Sequence, residues 1–190
     1  MAYPFDDIYL REFARTSDFF SGEPSFMEVK GVNVGGQING WMGRAKELTF
    51  ADFQLQYPVV YIAEESGDRN GQLGYGVLKR FTITFDYSRR RVFFQPNSTL
   101  GQLMQFDHAG LMLAAKGPAF VTLTVFFVIA GTPAAAADLK EGDEIISINN
   151  RHYTLESARV FLEEALGPQV FRIRRKGKEL TVTVNCRVIV

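Results

Sequence analysis

The sequence predicts a mainly β protein with short helices, arranged as two domains. The prediction depends on short runs that alternate apolar and polar residues, on the glycine- and proline-rich turns between them, and on helical spacing in only a few places. The chain has 190 residues, which is enough for two small domains that each bury a core. We place the first domain at residues 1–97, a linker at 98–106 and the second domain at 107–190.

Composition argues against several classes of protein. Lysine and arginine together number 21, and so do aspartate and glutamate, so the formal net charge is zero. Nucleic-acid-binding proteins are usually basic, and we therefore expect no nucleic-acid partner. The longest apolar run, Ala119 to Ala130, is too short to span a bilayer. The first residues lack the pattern of a signal peptide. We therefore expect a soluble chain, and the sequence does not identify its cellular compartment.

No metal site, other cofactor or catalytic residue is predicted. The two histidines and the single cysteine stand at scattered positions and do not make a set of metal ligands. Cys186 lies in a strand-like run, which favours a small core residue over a nucleophile.

Strand patterns dominate the first domain. The run from Phe81 to Asp86 alternates apolar and polar residues, and Arg91 to Gln95 returns after a turn at residues 87–90. This pattern predicts a β-hairpin with one buried face. The run from Glu47 to Ala63 predicts two strands, with Pro58 marking a break.

The second domain mixes strands with two helices. An apolar stretch meets Gly131-Thr132-Pro133, where a capping residue followed by proline predicts the start of a short alanine-rich helix. Gly142-Asp143 then turns the chain into a strand over Glu144 to Asn149. Thr154 is the predicted N-cap of a longer amphipathic helix, which Gly167-Pro168 is expected to stop.

This order of elements resembles a PDZ domain, a module that binds peptides. The resemblance runs from His108 to Val184, including a final hairpin across Lys176-Gly177. No clear strand precedes Gly110 while strands are plentiful after the longer helix, which is similar to the circularly permuted PDZ domains of bacteria. The resemblance implies that the partners are peptide or protein C-termini, or extended segments.

In the PDZ family, a loop holds the terminal carboxylate of a peptide with successive backbone N–H groups, and the peptide adds as a strand. The resemblance implies that one wall of the binding groove is this loop and the other is the longer helix. A helical apolar stripe mainly serves burial, so a core role for either helix residue stays open. The predicted peptide-binding residues are Gly110, Leu111, Met112, Leu113, Ala158 and Leu162.

Part of the first domain resembles the retropepsin-like aspartyl proteases. Leu73-Gly74, then Val77-Leu78, then the run FTITFDYSRRRVFFQPN are similar to the closing segment of that family, over roughly residues 30–97. The resemblance implies a partial retropepsin-like β-barrel, a parent protein that is an aspartic endopeptidase, and a homodimer through this domain, since such proteins often pair two halves.

The chemistry of that family needs two carboxylates that share a proton, each from an Asp-Thr-Gly or Asp-Ser-Gly turn. No aspartate of the first region is followed by such a turn. We therefore predict that this chain alone is proteolytically inactive. The sequence favours a C-terminal portion of an aspartic peptidase, cut after its catalytic turn. The alternative is a non-enzymatic interaction module with a degenerate protease-like domain.

Serine proteases of the HtrA type also carry PDZ domains. The sequence contains no Gly-x-Ser-x-Gly, and no Ser/His/Asp set is spaced through the first region. The sequence therefore argues against a serine protease.

Overall fold

The computed structural model describes residues 6–7, 27–33, 36–63 and 73–189. Its contacts divide the chain into two units, Met1–Met104 and Gln105–Val190. The division falls inside the segment predicted as a linker. Met104 is buried, and its sulfur accepts the backbone N–H of Val59 at 3.3 Å, so this residue, near the end of the segment, packs on the first unit. The domain boundaries at residues 97 and 107 stay a prediction.

The described residues of the first unit form three small antiparallel or mixed sheets and one helical turn. A four-stranded sheet has the order β1-β6-β3-β2, in which β1 runs parallel to β6 and the other pairs are antiparallel. The pairs β4-β5 and β7-β8 form separate hairpins. The elements are β1 (Asp6–Asp7), β2 (Met27–Asn33), β3 (Gly36–Arg44), β4 (Glu47–Phe50), β5 (Phe53–Gln56), β6 (Val59–Ala63), α1 (Tyr75–Leu78), β7 (Phe81–Asp86) and β8 (Arg91–Pro96).

The region from residue 47 to residue 63 holds three strands, not the two that were predicted. An additional turn at Ala51 and Asp52 splits the first predicted strand into the hairpin β4-β5. Pro58 lies between β5 and β6, at the predicted break. The sequence around Ala51 carries no glycine or proline, and this residue adopts a φ of 47° without them, which explains why the turn was missed.

The predicted hairpin β7-β8 is confirmed, but the prediction of one fully buried face is only partly right. The ring of Phe81 lies 4.8 Å from Phe53 and 5.3 Å from Phe50, centroid to centroid, and Phe94 joins the same cluster. Phe85, on the same face by strand alternation, is 58% exposed. The aromatic cluster therefore packs against one end of the hairpin and leaves the other end in solvent.

The predicted partial retropepsin-like barrel is not shown. A barrel closes when its first and last strands pair. Among the strands that the structure describes, the four-stranded sheet ends at β1 and β2, and neither hairpin joins it to close a ring. The coarser prediction, a mainly β chain with few short helices, is confirmed.

The second unit is a five-stranded antiparallel sheet with two helices. The strand order is β13-β12-β11-β10-β9, so β9 and β13 are the edges. A bulge in β10 between Val125 and Phe127 shifts its register against β9. The elements are β9 (Leu111–Lys116), β10 (Thr122–Val128), α2 (Pro133–Ala136), β11 (Glu144–Ile148), α3 (Leu155–Glu164), β12 (Gly167–Arg175) and β13 (Lys178–Cys186).

Both predicted helix starts are confirmed. Thr154 closes a capping box with Ser157, whose N–H donates to the threonine Oγ1 at 3.2 Å. Thr132 is the residue before α2, but its hydroxyl donates to the carbonyl of Ile129 at 2.6 Å instead of capping the helix. The predicted helix stop is wrong, since α3 ends at Glu164 and Gly167 already begins β12.

One apolar core joins the sheet to both helices of the second unit. It contains Cys186, which is 3% exposed, as predicted for a core residue. Burial raises the pKa of its thiol to about 12, so the sulfur stays protonated at neutral pH. The members of this cluster that are 0% exposed are Ala109, Val125, Ala134, Ile148, Ala158, Leu162, Phe171, Ile173 and Val184.

Candidate functional site

The edge strand β9 lies beside α3, and its outer edge carries unpaired backbone groups. Val125 of β10 lies opposite Leu113 of β9 in the register of the two strands. The backbone of Val125 does not bond to β9: its N–H donates to the carbonyl of Asp143 at 2.8 Å, and its carbonyl accepts the N–H of Gly142 at 2.9 Å. In an antiparallel pair of strands, two opposite residues that do not bond to each other both direct their N–H and C=O groups away from the partner strand. Leu113, and by alternation Ala115, therefore direct N–H and C=O to the open edge of the sheet.

A side chain of α3 reaches this edge. Arg159 donates from Nη2 to the carbonyl oxygen of Leu113 at 3.2 Å, across the space between α3 and β9. This contact confirms that the Leu113 carbonyl points away from β10. We call the space between Leu111–Lys116 and Leu155–Glu164 the β9–α3 groove.

A carboxylate closes the loop that precedes β9. Oδ1 of Asp107 accepts the backbone N–H groups of Ala109, Gly110 and Leu111 at 2.8, 2.5 and 3.1 Å. Burial raises the pKa of Asp107 to about 6, and the charge of Glu163 adds to this rise, whereas the three N–H donors oppose it. The loop thus already holds a carboxylate that belongs to the chain itself.

The same loop is tied to the rest of the domain by its backbone. The N–H of His108 donates to Leu162 at 2.9 Å, and its carbonyl accepts from Arg187 at 3.0 Å. Its ring Nδ1 lies 3.0 Å from the carbonyl oxygen of Ala165. Gly110 has a φ of +82°, and a Cβ at this position would overlap the side chain of Thr132, so only glycine fits. These contacts hold the loop in one conformation.

The predicted peptide-binding residues come together in space, but their side chains are in the core. The five that carry a side chain are each at most 4% exposed, and four of them share one apolar cluster. The groove therefore offers a ligand the backbone edge of β9 and the side chain of Arg159, with this apolar layer beneath. That the predicted residues line the binding groove stays a prediction. These five residues are Leu111, Met112, Leu113, Ala158 and Leu162.

Sequence reasoning missed Asp107 and Arg159. Aspartate side chains often accept the backbone N–H groups of the residues that follow them. The position of Asp107 shortly before Gly110 could therefore have predicted its contacts with the loop. Arg159 gave no comparable signal, because its contact with Leu113 depends on how α3 packs against β9.

A second polar cluster fixes the start of β11. Arg175 donates to both carboxylate oxygens of Asp143, each at 2.7 Å, and Asp143 is 1% exposed. The same carboxylate accepts the N–H of Lys140 at 2.9 Å. This hydrogen-bonded carboxylate raises the pKa of Arg175, so the guanidinium stays charged. The cluster joins the start of β11 to the end of β12.

Residues 6–7, 27–33, 36–63 and 73–189 hold no group of three or more His, Cys, Asp or Glu side chains that could bind a metal ion. None of their helices has the length and hydrophobicity needed to cross a membrane.

Comparison with known families identifies the second unit. Residues 109–185 match the PDZ domain family. The second unit contains a PDZ domain. The match covers the edge strand β9, the helix α3 and every strand between them, so the β9–α3 groove lies within the PDZ domain. Among curated proteins, none matches this chain.

Solved structures that are similar to the chain include the HtrA-type protease AlgW with a decapeptide, in two forms. A variant form has 17% identity and a TM-score of 0.47, over 87% of this chain and 60% of that one. The other form has 17% identity and a TM-score of 0.43, over 92% and 63%. A serine endoprotease from Yersinia pestis has 12% identity and a TM-score of 0.44, over 87% and 62%. The chain thus spans about 60% of the length of the first structure.

The prediction of an aspartic peptidase is wrong. The solved structures found are described as HtrA-type or serine proteases that are not of the retropepsin-like class, and the described strands of the first unit close into no barrel. At these identities and scores, no proteolytic activity is carried over from these structures to this chain.

Proposed function

We propose that the PDZ domain of this chain binds peptides, which add as an antiparallel strand along the open edge of β9. The observation that carries the proposal is the outward direction of the backbone groups of Leu113 and Ala115 at an edge strand beside α3. PDZ domains bind peptides by strand addition, in which main-chain hydrogen bonds supply affinity. Peptide or protein C-termini and extended segments are the proposed partners.

The geometry of the groove supports a backbone-directed mode of binding. A ligand strand would meet the N–H and C=O of Ala115 directly, and would compete with Arg159 for the carbonyl of Leu113. The apolar layer beneath gives the groove a rigid base, because Leu113 and Leu162 are packed in the core. Ligand side chains that point toward α3 would contact Arg159 first.

A permuted strand order is part of the proposal. No strand is described between residue 105 and the start of β9 at Leu111, whereas β12 and β13 both follow α3. The backbone N–H of Arg187, just after β13, donates to the carbonyl of His108, just before β9. The last strand of the chain thus supports the loop at the mouth of the groove.

A proline in the edge strand tests strand addition. In the full chain, Ala115→Pro removes the outward N–H that a ligand strand would use, without removing a hydrogen bond to β10. Ala115→Ser keeps this N–H and is the matched control. The measurement is the affinity of peptides selected from a random decapeptide library, by fluorescence anisotropy of labelled peptides.

We expect Ala115→Pro to weaken binding by roughly tenfold or more, the value of one to two lost hydrogen bonds, while Ala115→Ser binds as the unchanged chain does. Circular dichroism and thermal unfolding of both variants establish that the domain is folded. Equal binding by a folded Ala115→Pro variant would place the ligand elsewhere and contradict the proposal.

A further inference from the structure

We propose that the β9–α3 groove takes internal extended segments of other proteins in preference to free C-terminal carboxylates. This inference rests on the proposed strand addition and specifies its ligand class. It follows from the hydrogen bonds that the loop before β9 already makes, and from the negative charges beside that loop.

The N–H groups that would hold a terminal carboxylate are occupied. A carboxylate-binding loop works by leaving several successive N–H groups unpaired and convergent. Here Gly110 and Leu111 both donate to Oδ1 of Asp107, as does Ala109 before them. The N–H of Met112 faces β10, because Met112 pairs with Phe127 in the register of the sheet. Of the N–H groups of residues 109–113, only that of Leu113 is directed to the open edge, and one donor does not make a carboxylate site.

Electrostatics act in the same direction. A terminal carboxylate at this loop would approach the side chain of Asp107, which is only partly exposed to water. The negative charge of Glu163 acts on Asp107 and would therefore also repel a terminal carboxylate at this loop. Like charges in a poorly solvated site repel each other more strongly than they do in water. The charge of Arg159 offsets part of this repulsion but is directed to the carbonyl of Leu113.

An internal segment avoids both difficulties. Its backbone is neutral, and it needs only the alternating N–H and C=O groups that Leu113 and Ala115 present at the edge. It can also continue past the loop, since no chain end has to be seated there.

The test uses the full chain and a random decapeptide library presented in two formats. In one format the peptides end in a free carboxylate, and in the other they are followed by a fixed Gly-Ser tail that ends in an amide. Selected peptides are then synthesised as pairs of identical sequence, one acid and one amide. Fluorescence anisotropy gives the Kd of each member of a pair.

We expect the amide to bind at least as tightly as the acid, and the tailed format to yield most of the binders. If the acids bind roughly tenfold more tightly than their amides, the inference is overturned while the proposed function stands. If neither format yields a binder, the proposed function fails and the inference fails with it.

Substitution of Asp107 tests whether its negative charge lowers the affinity for peptides that end in a free carboxylate. Asp107→Asn keeps an oxygen that accepts the three N–H groups and removes the negative charge. We expect it to improve the affinity for acids by several-fold relative to amides. Glu141→Gln, an exposed site in the same unit, changes the net charge equally and is the control. An unchanged acid-to-amide ratio in Asp107→Asn would show that Asp107 does not set the preference.

Discussion

The guanidinium of Arg159 donates to the backbone carbonyl of Leu113 at 3.2 Å, so a helix side chain bonds to the edge of a sheet where a ligand strand would pair. The contact has two consequences. It satisfies an outward carbonyl in the unliganded domain, which protects the edge from unwanted pairing. It also has to be broken, or shared, when a peptide adds to β9.

Removal of this contact should therefore tighten peptide binding. We predict that Arg159→Met, which keeps much of the aliphatic length, improves the affinity for uncharged peptides by about fivefold, since a competing hydrogen bond of roughly 1 kcal/mol is lost. The measurement is fluorescence anisotropy with peptides selected on the unchanged chain. Glu156→Gln, in the first turn of the same helix, serves as the control. Weaker binding by Arg159→Met would show that the guanidinium contacts the ligand itself.

The sequence predicted the elements of the PDZ domain well because local rules decide most of them. Thr154 caps α3 through a box with Ser157, and Pro133 begins α2 at the position that proline favours. The helix end was misplaced, since Ala165 already leaves the helix with a ψ of 129°. The glycine-proline signal lies two residues later, in the strand that follows.

The site was less predictable, for two physical reasons. Whether Leu111 and Leu162 face a ligand or the core depends on the distance between β9 and α3, which no local pattern encodes. The loop geometry depends on the side chain of Asp107, whose contacts with three backbone N–H groups sequence reasoning did not predict. In the first unit, short glycine-leucine patterns suggested a protease fold that the strand pairing does not support.

The raised pKa of Asp107 predicts a pH-dependent stability of the PDZ domain. The folded-state pKa is about 6, against 3.8 for an unperturbed aspartate, so the folded state binds the proton more tightly than the unfolded state. The stabilisation by the proton is complete below pH 3.8 and is lost as the pH rises through 6. A shift of about two units corresponds to roughly 3 kcal/mol.

We therefore expect the difference in unfolding free energy between the unchanged chain and Asp107→Asn to vary with pH. Relative to that of the variant, the unfolding free energy of the unchanged chain should rise by up to about 3 kcal/mol as the pH falls from 7.5 to 4. Hydrogen exchange of the β11–β12 pair, measured by mass spectrometry, reports on this unit alone. A difference that stays constant over this range would contradict the proposed burial of the carboxylate.

The pair formed by the buried Asp143 and the partly exposed Arg175 should contribute strongly to the stability of the same domain. Asp143→Ala leaves the guanidinium and the N–H of Lys140 without their shared acceptor, and we expect a loss of about 3 kcal/mol or more in unfolding free energy. Arg172→Ala removes an exposed pair with Glu179 and should cost less than about 1 kcal/mol. Urea unfolding followed by hydrogen exchange compares the two, and similar losses would show that burial does not matter here.

Arg80 should be the corresponding stabilising residue of the first unit. Its guanidinium is 3% exposed and donates to four backbone carbonyls, which joins α1 to the turn at residues 99–102. Bonds to Thr99 and Gln102, at 2.6 and 2.7 Å, are as short as charge-assisted hydrogen bonds usually are. A lysine has a single ammonium group and cannot reproduce this planar set of donors.

We predict that Arg80→Met lowers the unfolding free energy of the first unit by about 3 kcal/mol, because four carbonyls, in one buried and three partly buried hydrogen bonds, lose a charged donor at once. Arg80→Lys should recover less than half of this loss. Arg90→Met, in the exposed turn of the β7-β8 hairpin, should change the stability by no more than about 0.5 kcal/mol. The fluorescence of Trp41, the single tryptophan of the chain, follows the unfolding of this unit in urea. Full recovery by lysine would mean that charge alone, and not the fork of donors, holds the turn.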